Sequence, residues 1–221
     1  RLFMWQAQVF TLYPEVFPGP LSKGLYGKAL SKELWNLRIV NIRDAAADKH
    51  KTVDDTPYGG GSGMLLKADV MAKSLDQNKT EGERIIYLSP KGKKFDQHYA
   101  RDLSKEKSVS FICGHFEGVD ERVLTTRNIE EVSIGDYILS GGETAAFVVI
   151  DSILRLLPGV LGNENSKVDE SFENGLLEYP QYTKPQIWEE KGVPEVLLSG
   201  DHSKIKDWRL SQSEAITRDR R

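Results

Sequence analysis

Three times along this chain of 221 residues a short apolar run ends in a loop rich in glycine or proline, with helical patterning between the loops. Residues 85–88 stop in Ser89-Pro90-Lys91-Gly92, and residues 109–113 stop in Gly114-His115-Phe116-Glu117-Gly118. The third run, 137–139, lies between a turn at Gly135 and the pair Gly141-Gly142, and the longest apolar segment, 144–157, follows directly. One such stretch alone reads equally as a tight turn into a core helix. Three in series predict an α/β fold, a parallel sheet with helices on both faces. Its loops then gather along the edge where such proteins offer backbone amides to ligands.

The remaining segments fit around that series. Residues 5–12 alternate as a strand, 21–32 read as a helix, and 37–42 as a second strand, before an aperiodic polar stretch over 43–55. Helices are expected over 68–77, 95–103 and 121–126. Residues 4–162 thus form one α/β domain, 163–174 a polar linker, and 175–221 a small unit with short helices over 185–190 and 203–218. That unit holds too little apolar material for a large core of its own.

Composition narrows the function. A net charge of −3 excludes a general polycation, so a nucleic-acid partner must meet a local basic patch. Residues 204–221 supply a candidate, with six basic side chains against three acidic, although a solvated helix face reads the same way. A lone cysteine, Cys113, excludes a disulfide framework and a cysteine-based zinc site. His50, His98, His115 and His202 show no ligand spacing, so no metal site is placed. No apolar run approaches membrane-spanning length and no cleavage-site pattern follows the first one, so no membrane role and a cytoplasmic location are expected. Arg1-Leu2-Phe3 precede Met4, which reads as the natural start.

Gly59, Gly61 and Gly63 have the spacing of a nucleotide-binding turn, but no buried strand precedes them and no Gly-Lys-Ser/Thr follows, so a substrate or interface loop is the better reading. Asp120 and Glu121 suit capping of a first helical turn, whereas Glu117 lies inside a glycine loop and faces a ligand if one binds there. Helix 144–157 carries only Asp151 and Arg155 as charges. Arg155 either favours the helix dipole and snorkels outward, or faces the site and holds an anion. Asp169 and Glu170 lie in the polar linker, where such pairs are commonly solvated.

Longer motifs go further. Lys49-His50-Lys51-Thr52-Val53-Asp54-Asp55, Pro57-Tyr58-Gly59-Gly60-Gly61, Tyr87-Leu88-Ser89-Pro90, and Cys113-Gly114 ahead of Glu117-Gly118-Val119-Asp120-Glu121-Arg122 stand in that order. Ser133-Ile134-Gly135-Asp136-Tyr137, Pro158-Gly159-Val160-Leu161-Gly162 and Gly175-Leu176-Leu177-Glu178 complete the set. Over residues 4–210 the chain resembles the bacterial tRNA (guanine-N1)-methyltransferases, the TrmD family of the SPOUT (trefoil-knot) superfamily; related chains run somewhat past residue 221. The resemblance implies a deep C-terminal trefoil knot in the α/β domain, which general topology rules would exclude. It implies S-adenosyl-L-methionine as cofactor, held bent and released as S-adenosyl-L-homocysteine. The residues that carry over are Tyr87, Leu88, Ser89 and Pro90, then Gly114, Phe116, Glu117 and Gly118. From the third loop come Ser133, Ile134, Gly135, Tyr137, Ile138, Leu139, Gly141, Gly142 and Ala145.

The implied partners are tRNA and a second copy of the chain, with each active site built at the interface of a homodimer and the small C-terminal domain gripping the tRNA. The implied reaction is methylation of N1 of guanosine 37, 3′ of the anticodon and preceded by G. Arg155 matches the family arginine that stabilises charge on O6. The family base is an aspartate directly before Ser-Phe; that place here is Glu170, with Asp169 one residue earlier. Family members are reported to use Mg²⁺, for which no ligand set is legible. His115-Phe116 stands for the usual Arg-Tyr, and Ala145 for a proline. Two other readings share these features: a knotted methyltransferase of ribosomal RNA, and an inactive RNA-binding relative.

Overall fold

A computed structural model describes residues 4–80, 82–161 and 175–221. The chain forms two compact units, Arg1–Gly162 and Asn163–Arg221.

In the first unit β1 (Trp5–Thr11) is buried along nearly its whole length, as a central strand must be when helices cover both faces. After a 3-10 turn at Gly19–Ser22, α1 (Gly24–Ser31) leads into β2 (Trp35–Asn41), which pairs parallel with β1. The expected helix over 21–32 is therefore broken, and Gly24, at φ 57°, is the residue that breaks it. Two short strands, β3 (Asp54–Asp55) and β4 (Leu65–Leu66), pair antiparallel around the glycine cluster. Then follow α2 (Ala68–Asn78), β5 (Arg84–Lys94), α3 (Gln97–Leu103), β6 (Ser108–Cys113), α4 (Glu121–Thr126), β7 (Glu130–Ser133) and α5 (Glu143–Leu154). Among the described residues the main sheet has five strands in the order β2-β1-β6-β5-β7, all parallel.

Alternation along β6 shows how the two faces fill. Val109, Phe111 and Cys113 join one apolar cluster with α1, α3 and α5, while Ile112 joins the other with α2 and α4. Helix α5 contributes most to the first cluster, with Val149, Ile150, Ile153 and Leu154 fully buried.

Two expectations need correcting. Residues 137–139 are not a strand: the strand is Glu130–Ser133, and Ile138 is 81% exposed in the loop that follows. Three apolar residues between glycines are too few to hold a sheet position, whereas Glu130 is accommodated at the start of β7 by Arg84 and Tyr99. Strand β5 also continues past residue 88. Val132 pairs first with Leu88 and then with Lys93, so Ser89-Pro90-Lys91-Gly92 bulge out between two paired segments. Pro90 has no N–H to give a ladder, which suits it to the bulge.

The second unit carries a hairpin where a helix over 185–190 was expected. Strands β8 (Ile187–Trp188) and β9 (Lys191–Gly192) pair antiparallel, and the intervening Glu189 and Glu190 both have positive φ, 50° and 63°. Two such residues in succession make the tight turn that matches strand twist. Helices α6 (Glu195–Leu198) and α7 (His202–Arg220) follow, with the Arg209 guanidinium 4.8 Å above the Tyr179 ring.

Candidate active site

Leu88 lies in register with both Cys113 of β6 and Val132 of β7, so three parallel strands reach the same edge side by side. Their following loops enclose a cleft of about 310 Å³. Every residue expected to hold the cofactor lines this one cleft, from Tyr87–Pro90 through Gly114–Gly118 to Ser133–Ala145, and Lys91, His115, Glu121 and Ser140 line it as well.

The loops meet at distances that leave no room for side chains. Gly142 donates its N–H to Gly114 O at 3.0 Å, and a β-carbon on Gly142 would stand 2.6 Å from Cys113 Cα. Phe116 occupies the left-handed region at φ 59° while half exposed at the cleft wall, a conformation uncommon for a bulky residue and characteristic of functional loops. Tyr87 is almost fully buried, and that burial, with Glu131 nearby, pushes its phenol up, so it serves as a neutral wall.

Behind the cleft lies a polar chain that sequence reasoning did not find. The Thr11 hydroxyl donates to Glu143 Oε1 at 2.5 Å, and His115 Nε2 lies 2.8 Å from Glu143 Oε2. Tyr13 meets the His115 ring edge-on at 5.0 Å. Glu143 is only 8% exposed. The chain joins the end of β1, the second loop and the start of α5. Nothing in local spacing announces it, since Thr11 and Glu143 are 132 residues apart. The one available signal was a carboxylate directly after Gly141-Gly142. Burial first, and the Glu143 charge second, push the Cys113 thiol well above its usual value, which removes it as a nucleophile.

The end of the glycine cluster, Gly63, and the residues that follow it are laid against the second loop. Glu117 N–H donates to Met64 O at 2.8 Å, Leu66 N–H donates to Gly118 O at 2.9 Å, and a β-carbon on Gly63 would collide with the Glu117 carboxylate. Tyr58, just before the cluster, is fully exposed. Asp120 caps α4 through Arg122 N–H at 2.9 Å and grips the Arg122 guanidinium, so its role is local.

Arg155 is not brought to this cleft. It is the C-cap of α5, a helix whose other end enters the cleft at Gly142, and twelve residues of helix separate them by about 18 Å. Asp169 and Glu170 lie outside the described residues.

A parallel α/β sheet with three glycine loops closing on a cleft at its strand ends defines a protein of the class that offers backbone polar groups to a small ligand. Comparison with known proteins makes this specific: the chain belongs to the TrmD family, whose model, tRNA (Guanine-1)-methyltransferase TrmD, matches residues 5–221. It is 83% identical over 218 residues to a tRNA (guanine-N(1)-)-methyltransferase of Pelagibacter ubique, covering 99% of this chain and 96% of the relative. Proteins of the same description from Bartonella tribocorum and Brucella canis are 58% and 55% identical over 217 residues, each covering 98% of this chain, with 93% and 88% of the relatives covered.

Proposed function

We propose that this chain transfers a methyl group from S-adenosyl-L-methionine to N1 of guanosine 37 of tRNA where G precedes it, leaving S-adenosyl-L-homocysteine. The observation that carries the reading is the 83% identity, over nearly the whole of both chains, to a relative described by guanine-N1 methylation of tRNA. The cleft suits the cofactor: its glycines expose backbone polar groups, while Tyr137, Ile138 and Leu139 offer an apolar surface. When bound, the cofactor supplies an electrophilic methyl group on positively charged sulfur. Glu117, exposed at the cleft wall, favours that charge.

The protein's remaining task is the acceptor. Guanine N1 carries a proton, and a carboxylate base is mismatched with it by ~5 pK units, about 7 kcal/mol, so charge moving onto O6 must be met. Arg155 supplies a permanent cation for O6. Glu170 takes the N1 proton by alignment with the family base, and Asp169 is the neighbouring candidate. Among the described residues no three His, Cys, Asp or Glu side chains converge, so no residues are assigned to Mg²⁺ and no step is routed through it.

Three further features belong to this reading. A homodimer with shared sites is supported by Arg155 lying at the far end of α5 from its own chain's cleft, and by exposed apolar side chains at Val16, Leu25 and Val148. A trefoil knot is supported by the third loop running hard against the second at Gly142 and Cys113. A tRNA-gripping role for residues 175–221 is supported by the basic residues of α7. Single-turnover methyl transfer from labelled cofactor to two tRNA transcripts, identical except at position 37, tests the function. Transfer to the G37 transcript alone is expected; transfer to neither, with cofactor bound, would sink the reading in favour of an inactive RNA-binding relative or another RNA substrate.

A further inference from the structure

The apolar side chains of the second unit surround an opening instead of closing into a core. Among its described residues only Ser213 is buried, whereas Leu197, Ile205 and Trp208 are half-buried around a cavity of about 420 Å³. That volume suits a small ligand, since such pockets measure about 300–1,000 Å³. Aromatic faces dominate the lining. Tyr182, 48% exposed, has its ring centroid 6.3 Å from that of Trp208 and its plane tilted by 56°, so neither ring covers the other. The Arg209 guanidinium, over the Tyr179 ring, adds a planar cation to the same lining. Its Nε–H is shut off from solvent and has no hydrogen-bond partner. A buried donor without an acceptor is costly, and a purely apolar occupant leaves it so. A nucleotide brings phosphate and carbonyl oxygens that a turn of the arginine side chain can meet.

We propose that this cavity takes one unpaired nucleotide of the tRNA, its base stacked on the faces of Tyr182 and Trp208 and an oxygen of the same nucleotide held by Arg209. Single-stranded RNA is held in this way because an unstacked base regains its stacking on an aromatic ring, and every base has a π-face. Lys184, exposed in the same lining, favours the phosphate side of such a nucleotide. The inference rests on tRNA as the substrate. It goes beyond the basic residues of α7 by naming aromatic faces that a grip through charge alone does not need.

The test uses the full chain and a tRNA transcript carrying G37. Tyr182→Leu keeps apolar bulk and removes the π-face, Tyr182→Phe keeps the π-face, and Arg209→Lys keeps the charge and removes the planar fork. Affinity for tRNA is titrated at two salt concentrations, with cofactor affinity and thermal midpoint read for each protein. Tyr182→Leu is expected to weaken tRNA binding roughly 10-fold, and equally at both salt concentrations, because stacking releases no counterions. Arg209→Lys should weaken it about 5-fold and Tyr182→Phe not at all, with cofactor affinity and thermal midpoint at wild-type values throughout. Transcripts that each carry one abasic unpaired nucleotide then locate the partner. One of them should bind the wild type about 10-fold more weakly than the intact transcript does, and Tyr182→Leu should bind that transcript no more weakly than the intact one. Wild-type tRNA affinity in Tyr182→Leu or in Arg209→Lys overturns the inference. So does a Tyr182→Leu loss that adds to the loss at every abasic position, or one that follows a lowered thermal midpoint, since the tyrosine then serves the fold. A wild-type protein that binds no tRNA overturns the substrate reading itself, and the inference with it.

Discussion

At the residue scale the informative side chains are those whose partners lie far along the chain. Glu143 is an example: it looks like a first-turn acid, which is how such residues commonly serve a helix dipole. In the fold it is buried and shared between Thr11 and His115, two segments that have no local reason to meet. Removing it leaves the fully buried Thr11 hydroxyl and a His115 nitrogen without their acceptor. Glu143→Ala should therefore cost about 1–3 kcal/mol of stability, read as a lowered urea midpoint. The larger effect should fall on the cofactor, because the chain ties the second loop to the third; a roughly 10-fold weaker affinity is expected by titration. Unchanged affinity would mean that the loops hold their places without it. His115, where the resemblance would place an arginine, is short enough as an imidazole to meet a buried carboxylate beside Tyr13.

At the element scale, patterning found the strands with an apolar run or an apolar alternation and lost the one that opens with charges. Strand β6 is legible because five of its six residues are buried. Strand β7 begins Glu130-Glu131, which reads as solvent, and only the tertiary contact with Arg84 explains why it joins the sheet. The hairpin at 187–192 was missed for a related reason: its turn uses glutamates rather than the glycine or asparagine that announce such turns. The Glu130 contact also has a pH signature. The Arg84 guanidinium, with help from the Tyr99 hydroxyl, holds the Glu130 carboxyl below the usual carboxylate range. A folded-state value that is depressed adds stability above the unfolded-state value, about 4.3, and loses it as pH falls through the folded value. Glu130→Gln should thus lower the urea midpoint at pH 7 and narrow the drop seen between pH 5 and pH 3. A variant whose acid limb overlays the wild type would show that solvent screening leaves this half-exposed pair with no net effect.

At the scale of the whole molecule the decisive fact is where one helix begins and ends. The three glycine loops were legible because glycines at strand ends carry a backbone requirement that survives in sequence, and the residues proposed from the family resemblance to hold the cofactor line the one cleft these loops enclose. Arg155 entered as a site residue by family resemblance alone, and it stands a helix length from that cleft. If Arg155 serves the reaction as proposed, the shortest arrangement that brings it to a cofactor is donation to the cleft of a second copy, as a two-fold pair allows reciprocally. Subunit mixing tests this directly. Arg155→Ala keeps an intact cleft, whereas Leu139→Glu places a charge in the cleft lining and leaves Arg155 in place. Each variant alone should be inactive. Co-unfolded and refolded in equal amounts, half the dimers should be mixed, and each of these should hold one site with both an intact cleft and a neighbour's arginine. Activity should then return to about a quarter of the wild-type value per protein. If Arg155 acts within its own chain, no mixed dimer contains a complete site, and the mixture stays as inactive as its parts.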